Sequence, residues 1–218
     1  MITRDYFLRM IQQLAEVLAR VLKLSEVKRF DEALEEIQLS SKQLLGMDLR
    51  LLTTLSDSEF IRLLSVGDRF DVEKCVVVAE LLRLAGEVKS VEGDEAEQYH
   101  CTVTSLSLFL ELLLRESETL PKEYFDKIEL LIGDVSVYDL TGELQQKLFR
   151  YYEAVGRYDA AENILFDLVE HDRTFVAEGV RFYERLRAKR DEELEQGNLP
   201  RDEIEASMKD LKKQMNAG

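Results

Sequence analysis

Proline is nearly missing from this 218-residue chain: only Pro121 and Pro200 occur, so long stretches carry no helix breaker. Strand signals are equally scarce. The best short run, Val76-Val77-Val78, lies inside residues 72–82, which continue into a long helical pattern. Cysteine is limited to Cys75 and Cys101, both in apolar helical surroundings, which predicts two core thiols rather than a disulfide framework. Positive charge is in deficit too. The 29 Lys and Arg against 44 Asp and Glu leave a net charge of −15. That argues against nucleic acid, whose backbone demands clustered cations, and against anionic membrane. The most apolar run, residues 106–114, is interrupted by Glu111 and falls far short of the roughly 20 residues a membrane span needs. The start, Met1-Ile2-Thr3-Arg4-Asp5, has no basic segment leading into an apolar run, so no secretory signal is expected. A cytoplasmic protein is the expectation.

What is present is helix. With 45% hydrophobic and 33% charged residues the composition is that of a globular chain rather than a disordered one. Tyr6, Phe7, Met10, Ile11, Leu14, Val17, Leu18, Val21 and Leu22 recur at spacings of three and four, an amphipathic helix that Thr3 or Asp5 would cap. A second helix shows Phe30, Ala33, Leu34, Ile37 and Leu44-Leu45, with Gly46 as its stop; the short link 23–29 makes the pair a hairpin. Ser56 and Glu59 form a capping box for a short helix closed by Gly67. Asp71 caps the next helix, which runs toward Gly86 with an extension to Glu92, and Gly93-Asp94 turns the chain. Residues 95–115 are apolar nearly all round in their later half and should form the central buried helix. Leu120-Pro121 starts another helix that Gly133 should end. Further helices follow from Thr141 to Gly156, from Asp159, from Phe175 through about Leu194 with Asp172 as its cap, and over 200–215 with the stripe Ile204, Met208, Leu211, Met215. The expected organisation is one helical domain over 1–197 and a helical arm over 198–218 that packs on the body or on a second subunit.

One stretch carries shape information. In Leu148, Tyr152, Gly156, Tyr158, Ala161 and Leu165, the small residues should let two antiparallel helices approach while the tyrosines fill the turn. Residues 144–170 resemble one tetratricopeptide repeat, departing from the family pattern at Gln145, Phe149, Leu168 and Arg173. Phe30, Ala33 and Ile37 echo Tyr158, Ala161 and Leu165, but the offset of 128 residues is not a whole number of the family's roughly 34-residue periods. The fold class is therefore all-α: antiparallel helical hairpins in an irregular, tetratricopeptide-repeat-like right-handed array. The whole chain is also similar to an uncharacterised family of bacterial helical proteins that open with a segment like Arg4-Asp5-Tyr6. The resemblance implies a protein-binding or scaffolding module without catalytic activity.

Constellations with chemical meaning are few. Glu97 and His100 have the Glu-x-x-His spacing of di-iron carboxylate bundles, but the second such pair is absent, since His171 follows Asp167 and Glu170. A metal-carboxylate enzyme using this pair is the alternative reading. Cys101 beside His100 would suggest an activated thiol, except that adjacent helical residues point about 100° apart. No glycine-rich phosphate loop, serine elbow or cysteine metal cluster is present, and no cofactor is expected. Arg181, Arg185, Arg187, Lys189 and Arg190 concentrate basic charge before Glu192, Glu193 and Glu195, which predicts ion pairing between helices or subunits. Arg4, Asp5, Arg9 and Gln12 form the polar side of the first helix, lining a groove or facing solvent. For a protein or peptide partner the contact positions singled out are Arg4, Arg9, Tyr152, Tyr158, Arg181 and Arg185. A homodimer through the last two helices is the remaining alternative.

Overall fold

The computed structural model describes residues 2–52, 55–66, 69–116 and 121–216, of which 2–8, 52, 57–58, 66, 69 and 216 are described by backbone alone. Its helices are α1 Ile2–Glu26, α2 Phe30–Leu45, α3 Leu49–Leu52, α4 Asp57–Leu63, α5 Val72–Glu92, α6 Glu95–Glu116, α7 Glu123–Val135, α8 Gly142–Val155, α9 Tyr158–His171, α10 Val176–Arg187, α11 Asp191–Gln196 and α12 Arg201–Asn216. A 3-10 turn, Arg173–Phe175, precedes α10. A two-stranded antiparallel ribbon, β1 Ser65–Val66 with β2 Arg69–Phe70, is the one departure from an all-helical plan among the described residues. Contacts divide the chain into two compact units, Met1–Asp139 and Leu140–Gly218. The sequence suggested a division at residue 197 instead. Among the described residues no helix is long and apolar enough to cross a membrane.

In the first unit α1 and α2 pack against each other and against α5, α5 packs along α6, and α7 covers α6. The α1 stripe of Met10, Leu14, Val17 and Val21 is buried, at the spacing the sequence showed. Helix α1 runs on to Glu26, so the link shrinks to residues 27–29, with Lys28 in the left-handed region at φ 60°. The centre is shared. Helix α6 buries Leu106 through Leu110 as expected, and α5 buries every residue from Cys75 to Leu82. The valine run 76–78 is thus helical because both its faces are covered, which overrides its strand preference. At Gly86 an added Cβ would lie 2.9 Å from Thr102 Oγ1, so the bare α-carbon lets the two central helices close up.

Local signals set most ends. Ser56 and Glu59 cap α4 reciprocally, Asp71 accepts from the Lys74 amide at 3.0 Å, and Gly46 and Gly93 close α2 and α5 in the left-handed conformation. The Gly67 stop and the start at Leu120 lie outside the described residues. Gly133 does not end α7, which continues to Val135 because that side chain is buried.

In the second unit α8 and α9 fold back on each other across Gly156 and Arg157, and α10 packs on α12. The role of Gly156 differs from the one its neighbours suggested. A Cβ there would meet only the Tyr158 hydroxyl at an ordinary 3.8 Å, so the residue is needed for its φ of +81° rather than for close approach. Close approach falls to Gly179, where a Cβ would stand 2.5 Å from Leu211 Cδ1 and 3.2 Å from Leu165 Cδ2. The helix expected from Phe175 to Leu194 is in fact two, α10 and α11, and Asp172 caps the 3-10 turn that precedes them. Arg201 explains the break. Its guanidinium donates to the carbonyls of Arg187 at 3.0 Å and Lys189 at 2.8 Å, satisfying the end of α10, and reaches Asp191 at the start of α11. Ile204, Met208 and Leu211 of α12 are buried in this unit, while Met215 is exposed.

Candidate binding cleft

The positions proposed from sequence for partner contact fall in both units, Arg4 and Arg9 in the first and Tyr152, Tyr158, Arg181 and Arg185 in the second. The side chain of Arg4 lies outside the described residues, and Arg9 is exposed on α1. Tyr152 and Tyr158 are buried in the second unit, with the Arg157 guanidinium 4.7 Å above the first ring and Lys189 Nζ 5.5 Å above the second. Their rings support the turn and offer little surface. Arg181 and Arg185 are exposed on α10 but engaged: Arg181 with Glu178, and Arg185 in a two-point pair with Glu153 on α8 at 2.7 and 2.8 Å. Arg190 pairs with Glu193. Of these pairs Arg185–Glu153 joins two helices, while Arg181–Glu178 and Arg190–Glu193 are local, three residues apart.

The concave feature is elsewhere, in the first unit. A cleft of about 520 Å³ opens between α2, the one-turn α3, α5 and the start of α6. Its apolar lining is Leu34, Ile37, Leu49, Leu82, Ala85 and Cys101; Gln38, Arg50, Lys89, Asp94 and Glu97 supply the polar groups. Each wall has a local cause. Helix α2 sends Ile37 to the core and leaves Leu34 and Gln38 half-buried one turn either side. The stop at Gly46 reverses the chain so that Leu49 lies against the wall, 6% exposed. The turn at Gly93 places Lys89 and Asp94 at the cleft's edge. The short α3 escaped the sequence reading, although Asp48 after the glycine stop was its signal: Asp48 Oδ1 accepts from the Arg50 amide at 3.1 Å.

Most charges around the cleft are already matched. Lys89 Nζ lies 2.9 Å from Glu92 and 3.2 Å from Asp94, and these partners, Glu92 foremost, raise its pKa. Asp94 is held below the usual carboxylate range by the Glu97 amide, then by Lys89. Asp48 is likewise held low, chiefly by the Gln38 amide, against some desolvation. Glu97 has an exposed carboxylate with no ion-pair partner among the described residues.

Reactive chemistry is not assembled here. His100 is exposed and stacks edge-on with Tyr99 at 5.8 Å. No group of three or more His, Cys, Asp and Glu stands in metal-binding array among the described residues. Burial first, and then the Glu97 charge, push the Cys101 thiol up to about 11, which leaves it protonated and unreactive at neutral pH.

Residues 1–216 match the model of a family of unknown function, DUF6483, and the chain belongs to that family. No curated protein shows significant similarity to the chain. No solved structure does either.

Proposed function

We propose that this DUF6483 member is a non-catalytic helical module that binds a protein segment, and that the cleft of the first unit is its binding face. The observation that carries the reading is the composition of that cleft. Apolar side chains from four helices meet at its base, and the exposed Glu97 carboxylate, with no ion-pair partner among the described residues, stands among its lining groups. Its volume is in the range of recognition pockets, about 300–1,000 Å³. The α8–α9 hairpin, turned by a left-handed glycine, supports a tetratricopeptide-repeat-like description of the architecture, whose members present helix-lined grooves to peptides. A cytoplasmic setting suits the acidic charge and the absence of a disulfide between the two buried cysteines.

A pair of charge insertions tests this. Leu34→Asp places a carboxylate in the cleft, whereas Leu130→Asp places one on α7 at a side chain 71% exposed. Each full-length protein would be used as bait, with helical content checked by circular dichroism. Loss of the captured partner with the first variant alone is expected. Capture that is the same with both would sink the cleft as the binding face.

A further inference from the structure

Resting on that reading of the cleft, we infer that its occupant is a peptide segment carrying a lysine or arginine beside an aliphatic anchor. The anchor follows from the lining: Leu34, Ile37, Leu49, Leu82 and Ala85 offer only hydrocarbon, so an aliphatic side chain is the group they desolvate favourably. The cation follows from what the cleft leaves unmatched. Lys89 is occupied by Glu92 and Asp94, and Arg50 is engaged as well. An anionic ligand would have to displace carboxylates already in place. Glu97 is the opposite case, a lining carboxylate with no ion-pair partner among the described residues. A peptide therefore supplies both complements at once, a greasy side chain and a basic one.

The wider field acts in the same direction. The first unit holds 16 basic and 27 acidic side chains, a net of −11, against 13 and 17, a net of −4, in the second. A basic segment is drawn toward the first unit over a distance, while Glu97 and the lining decide where it stops.

Fluorescence polarisation on the full chain tests the inference with three labelled peptides of one length: leucine alternating with lysine, with glutamine, or with glutamate. The lysine peptide should bind about tenfold more tightly than the glutamine one, the worth of one charge-assisted hydrogen bond, and the glutamate peptide least. Glu97→Gln should remove most of that tenfold preference. Glu35→Gln, an exposed carboxylate on α2 outside the lining, should leave it in place. Equal losses from the two variants would mean diffuse acidity attracts the peptide, and the inference fails. Should lysine and glutamine peptides bind alike, with Leu34→Asp still blocking both, the cation requirement falls but the binding face stands. If no peptide binds, or binding ignores Leu34→Asp, the binding face itself is wrong. Glu97→Gln alters an exposed side chain, so it remains decisive should Leu34→Asp unfold the unit.

Discussion

Among the described residues each unit buries one glutamate, and the two are handled in opposite ways. In the first, Glu80 of α5 is 4% exposed and lies between two cations, Arg83 at 2.9 Å and Lys127 of α7 in a short contact. In the second, Glu162 of α9 is 7% exposed and has only hydroxyls: Tyr183 of α10 donates at 2.6 Å, and Ser207 of α12 also reaches it. Glu203 and Asp159 add negative charge nearby. Burial is the main reason the Glu162 carboxyl titrates above its ordinary range. The cores around them differ in kind as well. The first is built on aliphatic residues of α5 and α6; the second stacks aromatic rings, with Phe149 and Phe182 at 5.2 Å and Tyr151 and Tyr152 at 5.4 Å. A buried carboxyl group joins helices either between cations or among hydroxyls, and its neighbours decide which of its two forms folding favours.

The widest test of that contrast is truncation after Gly197. It removes the buried Leu199, Ile204, Met208 and Leu211 and takes Ser207 from Glu162, a loss of roughly 6–12 kcal/mol at about 1.5–3 for each buried apolar side chain. Hydrogen exchange followed by region should show the remaining residues 140–197 deprotected and Met1–Asp139 unchanged; a folded truncated chain with altered mass would instead favour an assembly role for α12. Next, Glu80→Ala takes Lys127's carboxylate partner and leaves Arg83 with Glu87 alone, and urea unfolding should record about 3 kcal/mol of destabilisation, toward the low end for a broken pair because Lys127 is partly exposed and Arg83 keeps a partner. A loss under 0.5 kcal/mol, the usual scale of a surface change, would erase the distinction between the two glutamates. Arg185→Ala should cost only about 0.5–1 kcal/mol in the same measurement, since its pair with Glu153 is 44% exposed on the arginine side.

The smallest change should carry the opposite sign. Because the folded protein holds the Glu162 carboxyl above its ordinary value, the group's contribution is complete at acidic pH and is lost as pH rises through the raised value. Glu162→Gln cannot ionise. The variant should match the parent at pH 4 and become the more stable protein at pH 7 in paired urea titrations. Destabilisation of equal size at both pH values would show that Glu162 serves as an ionised acceptor, like its counterpart in the first unit.

Sequence reading succeeded where the cause is local. Ser56 with Glu59, Asp71, Thr141, Gly93 and Gly156 act within one helical turn, and each stands where its chemistry predicts. It failed where the cause comes from another segment. Ala188, Lys189 and Arg190 contain no breaker, and the helix stops there because Arg201 claims the carbonyls. Tyr152 and Tyr158 looked like contact residues because aromatics serve both cores and surfaces, and pattern alone does not separate the two. The cleft was almost invisible. Cys101, Glu97, Leu34 and Ile37 were each noticed for another reason, and their convergence depends on how α2, α3, α5 and α6 are stacked.

The amino-acid order by itself determined that this chain is helical, acidic, and divided at its caps and glycines, because periodicity and capping are short-range and need no partner. Tertiary structure alone decided which helices are central, where α10 ends, and which polar groups remain unmatched. Those outcomes depend on desolvation and on hydrogen bonds between segments far apart in the chain, whose energies exist only after the helices have met.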